Sequence, residues 1–149
     1  MTDHRKEHAL PSVGVEHHIG HLLRRAYALA RKNSAEALNQ IGDLSPVQAS
    51  AMITLSGGAL TQAELGRRIG MEPANTHTLI KRMVAAGLVE TRPDPANRRL
   101  RLLDHSVAGR VITAQIEARL AVSADRTLAP LSAEERATLL YLLQRVIEP

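Results

Sequence analysis

Between residues 67 and 101 the chain gathers side chains suited to a polyanion. Arg67 and Arg68 come first. Asn75, His77, Thr78, Lys81 and Arg82 follow within eight positions, and Arg98, Arg99 and Arg101 close the run. Asparagine offers the donor and acceptor pair that matches an adenine edge, and histidine and threonine can hydrogen-bond to bases. Lysine and arginine displace counterions from phosphates. Asn75, His77 and Thr78 are therefore expected at base edges, with Asn75 suited to adenine. Lys81, Arg82, Arg67 and Arg68 are expected to hold phosphates or pack nearby. The charge balance agrees. The 149 residues carry a net +4, and residues 60 to 101 hold eight bases against four acids, so the whole excess lies there. A solvated polar face rarely concentrates charge so completely, whereas a phosphate-binding module must.

A second set of chemistry-bearing residues lies nearer the start, in His17-His18-Ile19-Gly20-His21. His17 and His21 are four apart and share a helix face, which is the spacing of a metal-binding pair. Two ligands do not complete a site, so no metal is assigned. Solvated or packed histidines, or a place in a ligand pocket, explain the cluster as well. Arg24 and Arg25 follow, one of them suited to an anionic ligand through charge-assisted bonds; the plainer reading is a surface cation. Tyr27 could stack on such a ligand or pack as core with a wet tip.

Several functions are excluded. There is no cysteine, hence no disulfide, thiolate or Cys-based zinc site. Aromatics make up 1%, too few for base-stacking platforms. Gly57-Gly58 lacks the Lys-Ser/Thr of a phosphate loop. Ser45 and Ser132 read as helix caps, no nucleophile has a partner base, and neither enzyme activity nor a cofactor is expected. No apolar run approaches 18 residues and the first 15 lack a signal-peptide core, so a cytoplasmic protein without membrane contact is expected.

These side chains must be held by helices and one hairpin. Residues 1–15 read as a flexible arm. Apolar residues at helical spacing run from about Glu16 to Gln40. Ser45-Pro46 opens a second helix, stopped by Gly57-Gly58. Thr61-Gln62-Ala63-Glu64 is a capping box. The short helix behind it ends at Gly70, and Pro73 starts another that runs to Gly87. Two helices around a tight glycine turn make a helix-turn-helix, the second presenting Asn75 to Arg82 outward. Residues 88–93 and 98–103 predict a hairpin around Asp94-Pro95-Ala96-Asn97. Arg98, backed by Arg99 or Arg101, would enter a narrow minor groove from this wing. Ser106 caps a long helix to about 128, with His105 in the linker before it. Ser132-Ala133-Glu134-Glu135 boxes the last helix.

With these segments in view, the chain resembles the MarR family of bacterial winged-helix regulators. The likeness is carried by Leu60-Thr61-Gln62-Ala63-Glu64-Leu65, by Leu79-Ile80-Lys81-Arg82-Met83 running to Ala86-Gly87-Leu88-Val89, by Arg92 through Arg99, and by Leu131-Ser132-Ala133-Glu134-Glu135. It spans residues 16–147. One departure is Asn97, where the family usually has an acid before the wing arginine; an Asp94–Arg98 pair is still expected to steady the wing. The resemblance implies a mainly α fold with a small β wing: a DNA-binding lobe over 45–104 and dimerisation helices over 16–42 and 106–149. It implies a homodimer that reads a pseudo-palindromic operator in double-stranded DNA. It also implies a small-molecule effector in a crevice between dimerisation domain and lobe, with His17, His21, Arg24, Tyr27 and Met52 as candidates. An aromatic carboxylate, hydroxynicotinate-like, is the expected effector and repression the expected output. The rivals are a zinc sensor switched at His17 and His21, and an architectural DNA binder that ignores ligands.

Overall fold

Ser45, Thr61, Ser106 and Ser132 each sit in extended backbone, and each side-chain oxygen accepts the N–H three residues on. Three of the four are full capping boxes: Gln48, Glu64 and Glu135 reach back to the backbone N–H of the cap residue. The computed structural model describes residues 14–148. The arm expected over 1–15 falls almost wholly outside them. After a single 3-10 turn at Val15–His17 come α1 (Ile19–Leu38), α2 (Pro46–Leu55), β1 (Leu60–Thr61), α3 (Gln62–Ile69), α4 (Pro73–Ala85), β2 (Val89–Pro93), β3 (Arg101–His105), α5 (Val107–Thr127) and α6 (Ala133–Ile147).

The lobe is organised around one apolar core. Leu38, Met52, Leu55, Leu65, Met83 and Ile116 are its fully buried large side chains, joined by Leu60, Leu79, Ile80, Val89 and Leu103. The helix-turn-helix is tight because Gly66 lets α4 approach α3. A Cβ there would stand 2.8 Å from Thr76 Oγ1. Gly70 makes the turn itself, with φ of 67° in the left-handed region.

The sheet departs from expectation in two ways. It has three strands in the order β1-β3-β2, all antiparallel, because Leu60 and Thr61 pair with Leu103 and Leu102. The returning strand starts at Arg101 rather than 98, with Pro93 opposite Arg101 and Val89 opposite His105. Two side-chain turns delay it. Asp94 Oδ1 accepts from Ala96 N at 2.9 Å, and Asn97 Oδ1 accepts from Arg99 N at 3.2 Å. The expected Asp94–Arg98 ion pair is therefore replaced by a backbone turn: Asp94 still steadies the tip, but by holding an amide.

α1 packs along α5, with a seam of polar contacts: Asn33 Nδ2 donates to Thr127 Oγ1 at 2.9 Å, Ser34 meets Ser123 at 3.2 Å, and Arg126 pairs with Glu36 at 2.9 Å. α6 buries no residue against its own chain. Its Leu140, Leu142, Val146 and Ile147 stand exposed, as do Ile19, Leu22, Leu23 and Leu29 of α1 and Val111 and Val122 of α5.

Candidate nucleic-acid interface and effector crevice

α4 starts at Pro73, whose missing N–H costs nothing in a first turn. Thr76, Leu79, Ile80 and Met83 turn inward, which fixes what faces out. Asn75, His77, Thr78, Lys81 and Arg82 are all exposed. His77 Nδ1 lies 3.3 Å from Gln62 Oε1, so α3 helps to orient its ring. Thr78 donates its hydroxyl to Ala74 O at 3.2 Å, leaving its oxygen lone pairs and methyl outward. Arg67 and Arg68, on the last turn of α3, are exposed beside them.

The wing arginines divide. Arg98 and Arg99 are exposed at the tip. Arg101 is tied to the neighbouring strand, donating from Nη2 to Thr91 O at 3.2 Å and to Thr91 Oγ1 at 2.7 Å. Arg101 therefore braces the hairpin, and the tip cations are the pair before it. Between α3, the start of α4 and this wing lies a hollow of about 530 Å³ lined in part by Arg67, Thr76, Arg99 and Arg101. The expected recognition helix and wing are thus brought to one face.

A different crevice opens between α1, α2, α3 and α5. It measures about 270 Å³ and is lined by Tyr27, Ala30, Arg31, Ser34, Pro46, Val47, Ser50, Ile69 and Leu120. Of the expected effector residues, Tyr27 alone lines it. Arg31, one helical turn beyond Tyr27 and not among the residues expected from spacing, supplies the cation. The i, i+4 relation to Tyr27 is the sequence signal that could have found it. Arg24 instead turns toward His21, its Nη2 3.1 Å from His21 Nδ1. Met52 is a correction of another kind: its side chain is fully buried in the lobe core and offers a ligand no surface. Among the described residues no group of three potential ligands forms around His17 and His21 or anywhere else.

His105, expected in a linker, is a buried member of β3. Its Nε2 lies 2.7 Å from Met52 O and 3.2 Å from Thr113 Oγ1. Nothing in residue type or spacing marks it, because its partners come from two distant helices.

Known proteins agree with this architecture. The profile of the MarR family matches residues 42–100, from the entry to α2 to the wing tip. The chain is 30% identical over 138 residues to the HTH-type transcriptional repressor NicR of Pseudomonas putida, covering 90% of this chain and 85% of that one. A probable transcriptional regulator from Pseudomonas aeruginosa superposes with a TM-score of 0.80 at 30% identity, over 89% of this chain and 99% of the other. BpsR of Bordetella bronchiseptica, whose DNA binding is regulated by 6-hydroxynicotinic acid, superposes with a TM-score of 0.83 at 24% identity, over 92% and 98%; that likeness is one of fold. With its boxed helix-turn-helix, its arginine-tipped wing and its likeness to NicR over 138 residues, the chain belongs to the MarR family of winged helix-turn-helix transcriptional regulators.

Proposed function

We propose that this chain is a homodimeric repressor that reads a pseudo-palindromic operator and is released from it by a small aromatic carboxylate. The observation that carries the reading is the exposed face of α4, where Asn75, His77, Thr78, Lys81 and Arg82 all turn outward, His77 and Lys81 sharing a hollow with Arg101 of the wing and Arg99 lining the next one beside Arg67. In this arrangement α4 enters the major groove with its N-terminal residues at base edges, and the wing tip lies along the minor groove. A second copy covers the apolar faces of α1, α5 and α6, since exposed apolar area of this extent marks an interface. Such a regulator works in the bacterial cytoplasm, at the nucleoid when bound.

The effector reading rests on the crevice. Arg31 offers a guanidinium fork to a carboxylate, Tyr27 a ring and hydroxyl, and Val47, Ile69 and Leu120 apolar walls, while the Ser34 and Ser50 hydroxyls bond to Ser123 and Pro46 O. An aromatic acid matches that combination. NicR and the 6-hydroxynicotinate-regulated BpsR point to a hydroxynicotinate as the first compound to test. The test is selection of a duplex from a randomised library, followed by anisotropy titration with 6-hydroxynicotinate, salicylate and zinc chloride. Release by an aromatic acid supports the reading. Release by zinc alone would favour a metal sensor, and equal affinity for random duplexes an architectural protein.

A further inference from the structure

The last four carbonyls of a helix need partners from outside its own ladder. In α2, Ile53 O accepts from Ser56 N, Thr54 O from Gly57 N and Leu55 O from Gly58 N. Met52 O remains, inside the core, and the partner it finds is the His105 ring at 2.7 Å. Thr113 settles which proton is involved. Its one hydroxyl hydrogen goes to Gly109 O at 2.8 Å, so toward His105, 3.2 Å away, Thr113 can only accept. Both neighbours of Nε2 are acceptors, so Nε2 carries the hydrogen and shares it between α2 and α5.

The residue that does this is also the end of the wing strand. The backbone N–H of His105 donates to Asp104 Oδ1 at 2.7 Å, and its carbonyl accepts from Arg110 Nη1 at 3.2 Å. One residue on, Ser106 N donates to Leu88 O at 3.1 Å, and Ser106 Oγ donates to Gly87 O. Gly109 closes this joint: a Cβ there would collide with Leu88 O. The strand leaving the wing, the turn leaving α4, the end of α2 and the first turns of α5 thus meet at one joint. α2 contributes Pro46, Val47 and Ser50 to the crevice, and α5 contributes Leu120.

We propose that His105 is a positioning residue that locks the DNA-reading lobe to α5. It thereby sets the spacing of the two recognition helices and carries a shift between α2 and α5 to the wing. This rests on the reading of the chain as a dimeric operator binder. Removing the shared hydrogen leaves Met52 O buried without a donor and frees the lobe to rotate about the remaining Ser106 contacts.

The test needs no effector. A duplex selected by the wild-type protein is compared with the same duplex carrying one extra base pair between its half-sites. The wild type should discriminate between them by ~10-fold or more, since the insertion rotates one half-site by about a tenth of a turn. His105→Leu should lose most of that ratio while binding the selected duplex at least as well as random DNA. His105→Gln, whose side-chain amide can place an N–H near the Nε2 position, should restore it. Thr113→Val, which keeps the shape of the joint and removes one acceptor, should fall between wild type and His105→Leu and serves if the leucine variant fails to fold. A wild-type ratio kept by His105→Leu and Thr113→Val, or a glutamine variant no better than leucine, would overturn the proposal. A wild-type protein that enriches no duplex would overturn the DNA reading itself.

Discussion

If α4 and the wing read DNA as proposed, Asn75 and Arg98 have different tasks, and single substitutions should separate them. On the proposed reading Asn75→Ala should cost ~1–3 kcal/mol at one base pair per half-site and relax preference there. Equal losses on all sequences would make it a backbone contact. Arg98→Ala should weaken every sequence and reduce the salt dependence of binding, by a slope of about 0.9 for each phosphate that is no longer neutralised; an unchanged affinity would mean the tip does not touch DNA. In the crevice, Arg31→Ala should weaken release by an aromatic acid at least ~10-fold, while Arg24→Ala should leave it unchanged, as calorimetry with 6-hydroxynicotinate or salicylate would register. The outward face of α4 was legible because helical periodicity fixes it as soon as Thr76, Leu79, Ile80 and Met83 are assigned inward. The lining of the crevice was not. A crevice between four helices depends on how those helices cross, so the choice among Arg24, Arg25 and Arg31 is made by packing and not by spacing.

Local signals placed the helices well because caps are short-range chemistry: Ser45, Thr61, Ser106 and Ser132 each act within three residues. β1 escaped because two residues carry no alternation and because Thr61 already serves as a cap. The late start of β3 escaped because Asp94 and Asn97 each close a turn of their own. The cap at Thr61 also carries a pH dependence. Glu64 accepts from the Thr61 backbone N–H at 2.8 Å and from its hydroxyl at 2.8 Å, and these bonds, the backbone one first, hold its carboxyl below the ordinary value. A lowered carboxyl contributes its stability above the unfolded pKa and loses it as pH falls through the folded one. Wild type and Glu64→Gln should therefore differ most in Tm near neutrality and converge in acid; a gap independent of pH would remove the carboxylate from the cap. At the joint between wing and α5, Gly109→Ala should cost ~1–3 kcal/mol, as overpacking against rigid backbone does. Thermal unfolding of the variant measures it.

At the scale of the whole molecule, the single chain leaves one element without a role. Ile147 is 75% exposed and Val146 71%, and no residue of α6 is buried. A fifteen-residue helix with no fully buried residue is held by its Ser132 box, the Arg136–Asp125 pair to α5 and the half-buried Leu139 and Leu143, which is marginal in water. Covering that face by the matching face of a second copy solves the problem for both chains at once, because a two-fold interface is self-complementary. On the proposed reading the same contact joins two lobes, each would read one half-site, and the second binding event becomes intramolecular. Dimerisation and operator affinity should therefore fail together. Leu140→Glu with Ile147→Glu places carboxylates in the proposed interface without touching the lobe core or the reading face. The wild type should sediment as a dimer at micromolar concentration and the double variant as a monomer with its helical content largely kept. On a duplex with two half-sites the variant should bind at least ~100-fold more weakly, while on a single half-site the two proteins should bind alike. A variant that sediments as a dimer would move the interface away from α6. A monomer that keeps full affinity for the two-site duplex would mean the lobes read DNA independently, and the +4 concentrated between residues 60 and 101 would then account for binding one lobe at a time.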